Sequence, residues 1–176
     1  MNLQIEKQNV LLSNSVISED DDNPENILDR LLKEKDLTLS LAESCTGGKL
    51  ASLFTAIPGC SRYFKGGVVA YSNEAKEKIL GVNYEDIEKC GAVSQTVVEQ
   101  MTLGARKIFK SECAIATSGI AGPGGGTPEK PVGTVWIAVS YKKRLIAQKF
   151  LFSDSRESNI LSACNKGIRM LLDVIG

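Results

Sequence analysis

The run Cys113-Ala114-Ile115-Ala116-Thr117 is apolar without alternation up to its last residue. A strand of that kind has to be covered on both faces, which places it in the centre of an α/β sheet. The segments around it agree. Asn23-Pro24 offers an N-cap and a first-turn proline, and Ile27, Leu28, Leu31 and Leu32 repeat at helical spacing to about Lys35. Thr38 to Ala42 predicts a short strand, followed by Glu43-Ser44-Cys45-Thr46-Gly47-Gly48 and a helix through Leu50, Ala51, Leu53, Phe54 and Ile57 that Pro58-Gly59 stops. Gly66 to Tyr71 predicts a second strand. Ser72 caps a helix from Asn73 to Leu80, Tyr84 to Lys89 adds a short helical stretch, and Ser94 caps a longer helix burying Val97, Val98, Met101, Ala105, Ile108 and Phe109.

After the central strand a Gly/Pro-rich loop spans Gly119 to Pro131. Val132 to Tyr141 and Leu145 to Phe152 predict two strands joined by Lys142-Lys143-Arg144, and therefore antiparallel. A last amphipathic helix runs from Arg156 to Val174. The order α-β-α-β-α-α-β-β-β-α predicts a three-layer α/β/α fold, its mixed sheet parallel at the centre with an antiparallel hairpin. In such sheets ligands bind beyond the carboxyl ends of the strands. Glu43-Ser44, Tyr71-Ser72 and Thr117-Ser118 are the strand ends with usable chemistry.

A chain of 176 residues is one domain's worth, and it should bury roughly 70% of its unfolded surface without disulfides or a metal. Residues 1–22 are polar and end in Glu19-Asp20-Asp21-Asp22, which predicts a mobile extension outside a domain of residues 23–176. Residues 1–25 carry a net of −5, which leaves +5 on residues 26–176. That surplus suits a phosphorylated small molecule and is too weak to argue for nucleic acid. Five cysteines at irregular spacing, with no C-x-x-C, argue for free thiols in a reducing compartment and against a Cys-only metal site. No apolar run approaches the ~20 residues of a membrane span, and no basic segment leads into an apolar one at the start. The expectation is a cytoplasmic protein with no membrane partner.

Histidine is absent. A Ser-His-Asp triad, a Cys-His pair and a His-ligated zinc are therefore excluded, and any proton chemistry must come from Lys, Tyr, Cys or a carboxylate. Ser44 stands between a strand and a Gly-Gly helix start, where free amides could hold a phosphate or an oxyanion; read alone, it is also an ordinary cap. Cys45 is a thiol with no evident activator. A buried Lys76 with a lowered pKa could serve a serine as a base and Tyr71 could relay or donate a proton, although spacing alone favours a solvent-facing lysine and an edge aromatic. Ser44 does not begin an S-x-x-K motif, and G-x-S-x-G does not occur. Ser118-Gly119-Ile120-Ala121-Gly122-Pro123-Gly124-Gly125-Gly126 is a small-residue loop that a ligand could approach closely, but it is neither a P-loop nor G-x-G-x-x-G. Arg156 could grip a carboxylate or phosphate at the start of the last helix.

Three segments together go beyond spacing. Leu41 to Gly48 (LAESCTGG), Gly67 to Lys76 (GVVAYSNEAK) and Ser118 to Gly126 continued through Lys130 to Val135 (KPVGTV) resemble, in the same order, the CinA C-terminal family, from about residue 25 to the end. The resemblance implies a nicotinamide-nucleotide amidase of pyridine nucleotide recycling. Such an enzyme deamidates nicotinamide mononucleotide to nicotinate mononucleotide and ammonia with no cofactor and no metal, and it would be a homo-oligomer. It also implies Ser44, Lys76 and Tyr71 as the catalytic group. Ser44 would attack while Lys76 takes its proton directly or through Tyr71, with oxyanion donors at Gly59 or around Thr46-Gly47. Thr46, Ser118, Gly119 and Arg156 are the remaining expected ligand contacts, with Arg156 or the Ser118 loop on the phosphate. Departures from the family pattern are Ser118 where threonine is frequent, Ala70 where threonine is common, and Ser153-Asp154-Ser155-Arg156 where Gly-Asp-Arg is usual. Larger family members carry an N-terminal molybdopterin-binding-like domain whose pyrophosphatase activity is not expected of this chain. Two alternatives stay open: a non-catalytic nucleotide-binding module, and an amidase acting on a related nucleotide.

Overall fold

In the computed structural model, which describes residues 23–176, the chain runs α1 (Pro24–Glu34), β1 (Leu39–Glu43), α2 (Lys49–Thr55), a 3₁₀ turn (Cys60–Arg62), β2 (Phe64–Val69), α3 (Asn73–Lys78), α4 (Tyr84–Cys90), α5 (Gln95–Phe109), β3 (Cys113–Gly119), β4 (Thr134–Tyr141), β5 (Arg144–Leu151) and α6 (Arg156–Ile175). The expected extension over residues 1–22 lies outside the described residues. The strands form one mixed sheet in the order β2-β1-β3-β4-β5. β2, β1 and β3 are parallel, while β4 and β5 return antiparallel, with Tyr141 paired to Arg144 across a two-residue turn.

The core lies in two layers, one on each face of the sheet. Leu39, Leu41, Ile115, Ile137 and Val139 point to the face covered by α1, α2 and α6, against Leu28, Leu32, Phe54, Ile168 and Leu171. Ala42, Ala114, Ala116 and Ala138 point to the other, against Val97, Val98, Met101 and Ala105 of α5 and Leu80, Val82 and Ile87 beside it. Small residues on this second face suit a long helix laid close to the strands. The fully buried pattern of β3 is the one its uniform apolar run requires.

The caps sit where the hydroxyls are. Ser72 accepts from the Ala75 amide, Ser94 from Val97 and Ser155 from Ser158. Several elements depart from the sequence reading by one or two residues, β4 for example beginning at Thr134 rather than Val132. β2 begins at Phe64 and stops at Val69, so Ala70 and Tyr71 lie past its end. Ile108, expected on the buried face of α5, is 44% exposed in the last turn, whereas Phe109 turns onto Gly66 of β2.

Topology fixes where a crevice opens. β1 is followed by α2 on one face of the sheet, and β2 is followed by α3, α4 and α5 on the other. Adjacent parallel strands whose connections leave in opposite directions part beyond their carboxyl ends, and ligands bind there. Ser44 follows β1 and Tyr71 follows β2, so both border that gap. Among the described residues, no helix is long and apolar enough to cross a membrane.

Candidate active site

Glu43, the last residue of β1, faces α2 and is 1% exposed. Its two carboxylate oxygens accept from the amides of Gly48 (3.0 Å), Leu50 (3.1 Å) and Ala51 (2.8 Å). A buried carboxylate is costly unless donors surround it, and the free amides of a helix start are suitable donors. The first turn of α2 is thereby filled by the chain's own acid. It does not offer those amides to a substrate phosphate, which corrects one reading of the Gly-Gly turn. The Gly47 amide is also used, donating to the Ser44 carbonyl at 3.1 Å. Gly47 has φ +59°, a conformation that glycine adopts without strain. The Cys45 and Thr46 amides donate to no other described residue.

Ser44 is half-buried and its amide is pinned to the Thr117 carbonyl at 2.9 Å. Lys76 reaches it from α3. Nζ donates to Ser44 Oγ at 3.0 Å and to the Ala70 carbonyl at 2.9 Å. Lys76 is 2% exposed and forms no ion pair among the described residues, so it is not the solvent-facing lysine that spacing favoured. Burial without a counter-charge pushes its pKa below the ordinary 10.5, against a smaller opposing effect of the Cys45 sulfur. A lysine of this kind reaches the neutral, proton-accepting form at lower pH than an exposed one.

The neighbouring thiol is built differently. Cys45 is buried and its pKa is raised to about 12, chiefly by desolvation. It is a packed side chain rather than a second nucleophile.

Tyr71 is 60% exposed, and its ring stands beside Gly47. Its hydroxyl accepts from Arg156 Nη2 at 2.9 Å and makes no hydrogen bond to Ser44 or Lys76. The proton relay through Tyr71 is therefore absent from this arrangement, in which lysine contacts serine directly. Arg156 also donates through Nη1 to the Gly122 carbonyl at 2.7 Å. The guanidinium thus bridges the Gly-rich loop and the aromatic across the mouth of the crevice. Each bond uses one donor, and a guanidinium has five.

The other expected contacts separate into groups. Thr46 is buried, with its hydroxyl bonded to Thr117 Oγ1 at 2.7 Å, so its side chain is spent inside. Ser118 is likewise buried and donates to the Ala92 carbonyl at 2.8 Å, tying β3 to the segment before α5. Gly119 is required for packing: a Cβ there would lie 2.6 Å from Val135 Cγ2 and 2.8 Å from the Thr134 carbonyl. Gly59 is ruled out as an oxyanion donor to Ser44 of the same chain. It precedes the 3₁₀ turn at the amino end of β2, beside Lys33 of α1, whereas Ser44 lies past the carboxyl end of β1. The serine-bearing turn, Lys76, Tyr71 and Arg156 come together; Gly59 does not.

In the sequence Glu43 shows only as part of a strand end. The available signal was an acid closing a buried apolar strand just before a helix start, a position that demands donors. Asn159 on α6 has no motif in the sequence, because its nitrogen donates to backbone carbonyls.

Residues 21–175 match the model of the CinA C-terminal domain. A CinA-like protein of Flavobacterium psychrophilum is 44% identical over 172 residues, covering 97% of this chain and 41% of the relative. Another, from Fervidobacterium nodosum, is 56% identical over 128 residues, covering 73% of this chain and 31% of the relative. The chain thus spans about two fifths or less of the length of these curated relatives. Among solved structures, a competence or damage-inducible protein from Enterobacter asburiae superposes with a TM-score of 0.84 at 34% identity, over 87% of this chain and 96% of that one. The competence/damage inducible protein CihA from Agrobacterium tumefaciens gives 0.83 at 34% identity, over 91% of this chain and 100% of that one.

Proposed function

The chain belongs to the CinA C-terminal domain family, and from that premise we propose that it is an amidohydrolase converting nicotinamide mononucleotide to nicotinate mononucleotide and ammonia, with Ser44 as nucleophile and Lys76 as its base. The contact that carries the proposal is Lys76 Nζ, buried and free of any described carboxylate, at 3.0 Å from Ser44 Oγ. A lysine placed only for stability would be expected beside an acid, as Lys33 is beside Asp29.

The chemistry runs as follows. Ser44 Oγ attacks the carboxamide carbon as Lys76 takes its proton, and the C=O electron pair moves to oxygen. The amides of Cys45 and Thr46, which donate to no other described residue, are the proposed donors to the developing charge; one such donor is worth roughly 100–1,000-fold in rate. Collapse breaks the C–N bond, the Lys76 ammonium returns the proton, and ammonia leaves. Water, losing a proton to the same lysine, then attacks the acyl carbon; the C–Oγ bond breaks, Lys76 returns the proton to Ser44 Oγ, and nicotinate mononucleotide leaves. No step needs histidine. Arg156, with donors to spare, receives the phosphate at the mouth. A homo-oligomer is part of the same proposal, and light scattering on the purified chain reads it directly.

The test is ammonia release from nicotinamide mononucleotide, nicotinamide riboside and nicotinamide. Release is expected chiefly from the mononucleotide and should vanish in Ser44→Ala. Release from nicotinamide alone would remove the phosphate contact, and release from none would favour a non-catalytic nucleotide-binding module.

A further inference from the structure

The buried face of α6 is apolar along Ala163, Cys164, Ile168 and Leu171, with one polar exception near its start. Asn159 is 1% exposed. Its Nδ2 donates to the Ala121 carbonyl at 3.1 Å and to the Asp154 carbonyl at 2.9 Å, and its Oδ1 accepts from the Asp154 amide at 3.2 Å. Both amide hydrogens and the carbonyl are therefore in use. A buried carboxamide lowers stability unless it is satisfied, and an aliphatic residue would fill an apolar helix face at no such cost.

The partners of Asn159 explain its presence. Ala121 adjoins Gly122, whose carbonyl accepts from Arg156. Asp154 lies two residues before Arg156 in the turn that opens α6. Asn159 thus ties together the two segments across which the guanidinium is stretched, one from the loop after β3 and one from the turn after β5. It hydrogen-bonds to neither Ser44 nor Lys76.

We propose that Asn159 is a positioning residue, which locks the 153–156 turn to Ala121-Gly122 so that Arg156 is held at the mouth with its spare donors aimed at the anionic group of the substrate. The anion-gripping part rests on the mononucleotide reading above. Without Asn159 the turn and the loop separate, Arg156 samples other rotamers, and the anion is held less well. The serine and lysine, carried by other elements, keep their geometry.

The experiment uses Asn159→Leu, which fills the volume without hydrogen bonds, and Asn159→Ser, a smaller polar variant that keeps the site measurable if the first fails to fold. For nicotinamide mononucleotide, KM is expected to rise roughly tenfold with kcat within about twofold, a small part of what a misplaced group can cost. For nicotinamide riboside, which lacks the phosphate, kcat/KM should not change. In an Arg156→Met background the Asn159 substitution should add almost nothing, because both changes remove the same contact. Equal losses on both substrates, or effects that add with Arg156→Met, would overturn the proposal. Hydrogen exchange of the ligand-free protein gives a readout independent of the amidase assignment. Peptides covering 119–126 and 153–156 should exchange faster in Asn159→Ser while those covering α2 and α3 do not, and unchanged exchange at 119–126 would also overturn it. If the wild-type chain released no ammonia from the mononucleotide, the amidase reading would fail, while faster exchange would still support the positioning role.

Discussion

The floor and the mouth of the crevice are held by different chemistry. On the floor, Glu43, Ser44 and Lys76 are fixed by backbone groups: three α2 amides on the carboxylate, the Thr117 carbonyl on the Ser44 amide, the Ala70 carbonyl on the lysine. Glu43 and Lys76 are shut away from water. At the mouth, Tyr71 and Arg156 are exposed, and a single guanidinium joins the aromatic to a loop carbonyl. Bonds in water-accessible positions contribute little net and can be exchanged for a ligand, whereas bonds made by buried groups are costly to break. The floor is accordingly suited to placing the reacting atoms, and the mouth to admitting and holding the substrate. Floor substitutions should lower kcat, and mouth substitutions should raise KM.

The largest effect tests the floor alone. Ser44→Ala should lower kcat by roughly 10⁴-fold or more, the scale seen when a catalytic nucleophile is removed, and leave binding of nicotinamide mononucleotide by calorimetry near the wild-type value. Residual turnover within tenfold of wild type would mean that attack comes from elsewhere. Lys76→Met should follow at about 10²–10⁴-fold in kcat, the range of general acid–base catalysis. In the wild type, kcat/KM should rise with pH as the neutral amine forms, below the range in which an exposed lysine would titrate, because burial lowers this pKa. The variant should lose that rise.

Lys76 also gives the floor a stability signature. Between its lowered folded value and the ordinary 10.5, the unfolded chain binds more protons than the folded one, so stability rises with pH across that window. At neutral pH the buried amine therefore costs stability, and Lys76→Met should melt higher than wild type, the gap narrowing as pH rises. A lower melting temperature at neutral pH would mean that the hydrogen bonds of Lys76 to Ser44 and the Ala70 carbonyl outweigh the penalty of burying the amine.

Glu43→Gln comes next. The side chain keeps its size, but its amide nitrogen must face amides that need acceptors. Hydrogen bonds to charged groups are worth roughly 1.5–3 kcal/mol each, and one lost acceptor should lower stability on that scale. Loosening the turn that carries Ser44 should also reduce kcat about 10–100-fold with KM nearly constant, since a small misplacement of reacting groups has effects of that size. Urea unfolding and steady-state kinetics read the two consequences separately. A change in KM alone would move Glu43 from the floor to the mouth.

How much of this was legible in the sequence follows the same division. Periodicity located all the main helices, because apolar spacing at 97, 98, 101 and 105 reflects one face against one sheet. The uniform run at 113–117 identified the buried strand, and the caps at Ser72 and Ser94 were readable because a hydroxyl before a helix has one common use. The pairing of Ser44 with Lys76 was invisible to spacing, since 32 residues and a crossover separate them; only likeness to a family joined them. Gly59 was misplaced for a related reason, as a glycine's neighbours in space cannot be read from its neighbours in sequence. Thr46 and Ser118 were read as ligand contacts because hydroxyls near a site invite that reading, yet each is satisfied by the fold itself. Asn159 was missed because its partners are backbone carbonyls, which no side-chain motif records.

Tyr71→Phe is the smallest change and the sharpest test of the boundary between floor and mouth. It removes one oxygen, and with it the acceptor that Arg156 Nη2 uses at 2.9 Å. If that oxygen relayed the serine proton, the variant should lose about 10²-fold or more in kcat and shift the pH profile. The geometry argues otherwise, because Lys76 Nζ already contacts Ser44 Oγ and the tyrosine hydroxyl faces the arginine. A single exposed hydrogen bond contributes roughly 0.5–1.5 kcal/mol, which corresponds to about two- to tenfold in KM. The expected result is a rise of about threefold in KM for nicotinamide mononucleotide, near the lower end of that range because the guanidinium keeps its bond to Gly122. With Lys76 as the proposed base, the value of kcat and the alkaline rise should not change. A loss in kcat with constant KM would place Tyr71 on the floor and make the contact with Arg156 one that substrate binding must break.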